Sequence, residues 1–108
     1  ASLQYSFATK LAATVESTSP IYDAEIATIF NFRPPYNYKS FEQRLSEYTS
    51  FYTELKSLYQ AIIVENRLRE ARAEFRSRYQ CAENDVPETK VLDFIFWSAG
   101  KLSREVSR

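Results

Sequence analysis

Between Ser40 and Pro87 the chain carries neither proline nor glycine, and that unbroken stretch constrains the fold more than any motif. Proline removes a backbone donor and glycine costs about 1 kcal/mol inside a helix, so a long run without either reads as helix. The apolar pattern agrees. Phe41, Leu45, Tyr48, Tyr52, Leu55, Tyr59 and Ile62 alternate at spacings of four and three, a heptad seam. Beyond it the phase changes: Val64, Leu68, Ala71, Phe75 and Tyr79 make a second stripe, roughly 160° around the same straight helix. No breaker separates the stripes. The spacing therefore predicts one helix from about residue 40 to about residue 80, about 60 Å long, with a bend at Glu65-Asn66 as the alternative. A globule of this size has a radius of gyration near ~13 Å, so such a helix overhangs it. The first two helices are expected to cover one half, and the last helix or a partner chain the other.

The flanking segments are helical too. Leu3, Phe7, Leu11 and Val15 recur every four residues, giving a first helix over 3–17. Ser19 as N-cap and Pro20 at the first helical position start a second over 20–31, which stops before Arg33-Pro34-Pro35. Residues 33–39 form a linker of polyproline II character. Ser40 and Gln43 make a capping box for the long helix, and Asp85 and Glu88 a second one for the last helix, 86–106. Gly100 either caps that helix early or sits inside it. The expectation is a single all-α domain over 1–108, a four-helix arrangement dominated by the long helix and packed as an up-down bundle.

Composition matters mainly for what it excludes. The 108 residues suffice for one core, and 14 basic against 14 acidic side chains give no net charge. Without histidine the chain lacks the commonest general base and metal ligand. One cysteine, Cys81, rules out a thiolate cluster or an internal disulfide, and one glycine rules out a phosphate-cradling loop. No catalytic residue, metal or cofactor is expected. No apolar run approaches a membrane span, and residues 1–15 are not expected to act as a leader peptide. A reducing, intracellular setting, the cytoplasm, fits these features. A start at Ala1 rather than Met reads as a piece of a longer or processed protein.

Several side chains stand out. Arg67, Arg69, Arg72, Arg76 and Arg78 form the one basic cluster, but Glu65, Glu70 and Glu74 interleave with them and the segment 65–80 nets only +2. Glu65–Arg69 and Glu74–Arg78 have the spacing of i,i+4 ion pairs, so the cluster reads as a solvated face around a buried stripe, or as the rim of a protein contact. Read instead as a phosphate-binding face, Arg69, Arg72 and Arg76 would neutralise nucleic acid while Tyr79 stacks on a base. Tyr36 and Tyr38 on the Pro-Pro linker suit protein recognition, or else fold back as a staple on the next helix. Trp97, within Phe94-Ile95-Phe96-Trp97, is an interface anchor or part of a helix buried on several sides. The reading that best fits is a non-catalytic helical protein–protein interaction or assembly module, homo-oligomeric or heteromeric. A nucleic-acid-binding domain using Arg67–Arg78 is the alternative, and a small helical enzyme on an anionic metabolite a third.

Overall fold

The computed structural model describes residues 5–16, 18–79 and 86–106. They form five helices: α1 (Tyr5–Val15), α2 (Ala24–Ile29), α3 (Phe41–Val64), α4 (Arg69–Tyr79) and α5 (Glu88–Val106). The fold is all-helical, with α3 the longest element, as the sequence led us to expect. Leu3, Cys81 and the expected cap Asp85 lie outside the described residues.

The continuous helix over 40–80 is not observed. α3 ends at Val64 with Glu65 as its C-cap, and the chain turns through residues 65–68 before α4 begins. The cause is asparagine. Asn66 adopts φ 54°, its N–H bonds Ile63 O at 3.2 Å, and the Arg67 N–H bonds Ile62 O at 2.8 Å. Those two bonds define a Schellman cap, a role usually given to glycine because φ is positive. α2 ends the same way: Asn31 has φ 59°, with Asn31 N–H on Thr28 O and Phe32 N–H on Ala27 O. In a chain with one glycine, asparagine terminates α2 and α3. The break also removes the expected Glu65–Arg69 helical pair, and Glu65 instead reaches Arg67 at 3.7 Å.

The second helix also begins later than expected. Residues 20–22 are not helical, and the N-cap is Asp23, itself extended, whose side chain accepts from the Glu25 N–H. Pro20 therefore opens no helix. Buried non-helical backbone must find partners elsewhere, and here side chains from three helices supply them. Thr9 accepts from the Tyr22 N–H at 2.8 Å and Ser6 donates to Tyr22 O, both from α1. Tyr52 of α3 donates to Pro20 O at 2.7 Å. From α5, Asp93 accepts from the Ile21 N–H at 3.3 Å and Lys90 donates to Ser19 O at 2.6 Å. At about 0.5–1.5 kcal/mol net per bond, these interactions outweigh the local preference of Ser19-Pro20 for a helix start.

The core forms where α2, the 20–22 segment, α3 and α5 meet. Ile26, Leu55, Tyr59 and Leu92 are fully enclosed, each contributing about 1.5–3 kcal/mol by leaving water. The heptad seam is thus buried over Leu55, Tyr59 and Ile62 and half-buried at Tyr48 and Tyr52, while Phe41 and Leu45 at its start remain exposed. The Ser40–Gln43 capping box is present in both directions. Tyr22 is edge-on to Tyr5, Phe32, Tyr48 and Phe51, with ring centroids 5.1–6.1 Å apart. Burial, followed by the nearby Tyr48 and Asp23, pushes its hydroxyl up to about 12.

Gly100 lies inside α5 and is buried. A Cβ there would stand 2.2 Å from Glu25 O and 2.7 Å from its carbonyl carbon. The sole glycine is therefore where α2 crosses α5 with backbone in contact. Arg104 seals the crossing with an ion pair to Glu25 at 2.7 Å.

Candidate interaction surface

α4 is a polar helix, and its arginines hold it to α5. Arg72 is 8% exposed. Its Nε donates to Arg67 O at 3.0 Å, its Nη2 to the Asn66 side chain, and its Nη1 to Glu88 Oε2 at 3.0 Å. Arg76 donates from Nη2 to Glu88 Oε1 at 2.9 Å and to Val86 O at 2.8 Å. Glu88 thus carries one guanidinium on each oxygen, at the first residue of α5 where the helix dipole also favours a carboxylate. Burial alone would raise its pKa, but the hydrogen bonds from Arg72 and Arg76 overcome that and hold it below the usual carboxylate range. Arg72 also fastens the turn that breaks the long helix, which no one-dimensional pattern could show.

The remaining arginines face water. Arg69 and Arg67 are exposed, and Arg78 pairs with Glu74 at 3.0 Å as its spacing suggested. The five arginines therefore divide into an inward clamp and an outward set, rather than one basic face.

Beside this clamp lies an aromatic cluster. Phe75 and Tyr79 of α4 approach Phe94 of α5 with ring centroids 4.9 and 5.5 Å away, and Trp97 follows Phe94 at 6.2 Å. A groove of about 400 Å³ runs between the helices, lined by Ala71, Phe75, Tyr79, Phe94 and Leu102 among others. Its apolar walls are open: Tyr79 is 53% exposed, Phe94 38% and Leu102 61%. Of the singled-out residues, Tyr79 lines this groove, and Trp97 stands half-buried on the far side of Phe94. Leu102 carries no signal of its own in the sequence, since its spacing from Ile95 and Ala99 is that of an ordinary core stripe. Phe75 and Phe94 carried the available signal, in the Phe75–Tyr79 and Phe94–Trp97 spacings.

Tyr36 and Tyr38 lie elsewhere. They stack on each other with centroids 5.5 Å apart and an interplanar angle of 11°, and both are exposed. Phe41 and Leu45 at the start of α3 are exposed as well.

A second polar constellation is central. The buried Asp93 accepts from Tyr59 at 2.9 Å, from Ile21 N–H and from Lys90 at 3.1 Å. Burial raises its pKa despite Lys90 and these hydrogen bonds, and burial beside Asp93 raises that of Tyr59 strongly. These groups are spent on fastening residues 19–22. Among the described residues no three His, Cys, Asp or Glu side chains gather as a metal site, and no helix is long and apolar enough to cross a membrane. Comparison with protein-family models, curated proteins and solved structures returns no match, so geometry is the basis for reading the surface.

Proposed function

We propose that this chain is a helical protein–protein interaction module whose docking face is the α4–α5 groove. The observation that carries the reading is the exposure of Tyr79, Phe94 and Leu102 along one concave apolar strip. Aromatic side chains held at partial burial suit an interface, because they offer large contact area at little entropic cost. Phe94 is already positioned by Phe75 and Tyr79, so a partner meets a preordered anchor. The occupant that fits a groove between two helices is an amphipathic helix of a partner, inserting apolar side chains at i, i+3 and i+4 spacing. Glu74 and Arg78 at the rim provide charges of both signs for orientation.

The test is photo-crosslinking in the source cell with p-benzoylphenylalanine at Leu102, compared with the same probe at Val15, which is 91% exposed on α1. The reading expects discrete protein adducts from position 102 that are lost in Tyr79→Glu, and none above background from position 15. Equal labelling at both positions contradicts it.

A further inference from the structure

On the opposite side of Phe94 from the α4 groove, α1, residues 21–23 and α5 form a second, open cleft of about 470 Å³, lined by Lys10, Ile21, Asp23, Lys90, Asp93, Phe94 and Trp97. That volume is within the range of small-ligand sites, which are mostly apolar with a few convergent polar groups. Here Ile21, Phe94 and Trp97 supply the apolar walls.

The balance of donors and acceptors decides what chemistry the cleft takes. Both carboxylates are committed to the protein. Asp23 accepts from the Glu25 N–H at 2.9 Å and from Lys10, while Asp93 accepts from Ile21, Tyr59 and Lys90. The donors are not exhausted. An ammonium has three N–H groups, and Lys90 uses one on Ser19 O and one on Asp93. Lys10 makes a single long contact of 3.5 Å to Asp23, with its side chain 49% exposed. The Trp97 indole N–H forms no hydrogen bond among the described residues. Lys101 stands 4.9 Å above the Trp97 ring but does not line the cleft, so the case for an anion rests on the unused N–H groups of Lys10 and Lys90.

We infer that this cleft binds a small planar aromatic carboxylate, with its ring against Phe94 and Trp97 and its carboxylate on Lys10 and Lys90. The inference goes beyond the docking face, with which the cleft shares only Phe94. Ion pairing to the ammoniums is charge-assisted, and the aromatic walls add contact area for the ring.

Trp97 is the only tryptophan, so its indole resonance reports this site alone. The experiment titrates the ¹⁵N-labelled chain with 2-naphthoate and, separately, with the uncharged 2-naphthamide. Expected are a saturable shift of the Trp97 resonance by naphthoate and binding more than tenfold weaker for the amide, as loss of both charge-assisted contacts implies. Lys10→Gln, a half-exposed substitution the fold tolerates, should weaken naphthoate about tenfold, whereas Lys56→Gln in a separate cleft leaves it unchanged. Equal affinity for acid and amide, indifference to Lys10→Gln, equal weakening by Lys56→Gln, or a shift that never saturates would each overturn the assignment.

Discussion

α5 meets its two main neighbours in contrasting ways. Against α2 it presents Gly100, and the backbones touch so closely that a methyl group has no room. Ile26, Ala27, Val91 and Leu92 leave no large apolar side chain open at that crossing. Against α4 it offers Glu88, gripped by Arg72 and Arg76, and then Phe94, which remains partly in water with Tyr79. One contact is held by shape, and the other by charge with apolar surface to spare. A helix face closed by shape has no room for a partner. A face fastened at one end by ion pairs can leave its aromatic length free for one.

That contrast can be broken at several points, beginning with the largest expected effect. Gly100→Ala improves helix propensity by about 1 kcal/mol, yet its Cβ would collide with backbone, and backbone cannot swing aside. We expect a net loss of about 2 kcal/mol or more in urea unfolding, through the overpacking it forces. A neutral or stabilised variant would show that α2 does not cross α5 so tightly.

Next comes Glu88→Gln, which keeps the shape but leaves two inward guanidiniums facing a neutral group. A loss of about 1–3 kcal/mol is expected, concentrated in α4 and visible as faster amide exchange there than in α2. The pH response follows in sign. The Glu88 pKa lies below its ordinary 4.5 in the fold, so its stabilisation is present above that value and lost as pH falls through the folded value. Asp93 behaves oppositely: its pKa lies above the ordinary 3.8, so its contribution is complete below that value and declines as pH rises through the folded one. Acidification below 4.5 should therefore loosen α4 while the fastening of residues 19–22 holds, and Glu88→Gln should abolish that difference. Simultaneous loss of both regions in amide exchange would refute the separation.

Tyr59→Phe removes one donor from buried Asp93 and should destabilise by about 1–2 kcal/mol on the α2 side without altering α4 exchange. The smallest effect concerns the turn. Leu68 is held at φ 53°, where a branched side chain is strained by roughly 1–2 kcal/mol. Leu68→Gly relieves that strain against a greater unfolded-state entropy, for a net gain of about 0.5 kcal/mol. Asn66→Ala, which loses both the left-handed preference and the bond to Arg72, should go the other way by about 1 kcal/mol. Thermal unfolding of the pair checks both signs.

The helical class, the Ser40–Gln43 box, the seam from Tyr48 to Ile62 and the Pro-Pro linker were legible because each depends on neighbours within a few residues. The break at Asn66 was less so. Asparagine tolerates positive φ without requiring it, and Arg72 commits it to the turn from six residues away. Pro20 misled for a related reason. Its local chemistry allows a helix start, but Asp93 and Lys90, some 70 positions along, hold residues 19–21 outside the helix. Nor could sequence divide the arginines, since the inward turn of Arg72 and Arg76 depends on where Glu88 arrives. The open face was only partly legible: Tyr79 and Trp97 stood out, whereas Phe75 and Tyr79 also belong to a stripe whose period reads as buried.

The central claim is that α5 is closed on its α2 side and open on its α4 side, and solvent access to side chains tests it most directly. Relaxation by a soluble nitroxide, recorded on the methyl groups of Leu92 and Leu102 and the rings of Tyr59 and Tyr79 in dilute protein, compares the two sides in one sample. The account predicts strong relaxation at Leu102 and Tyr79 and little at Leu92 and Tyr59. Equal protection at all four would contradict it.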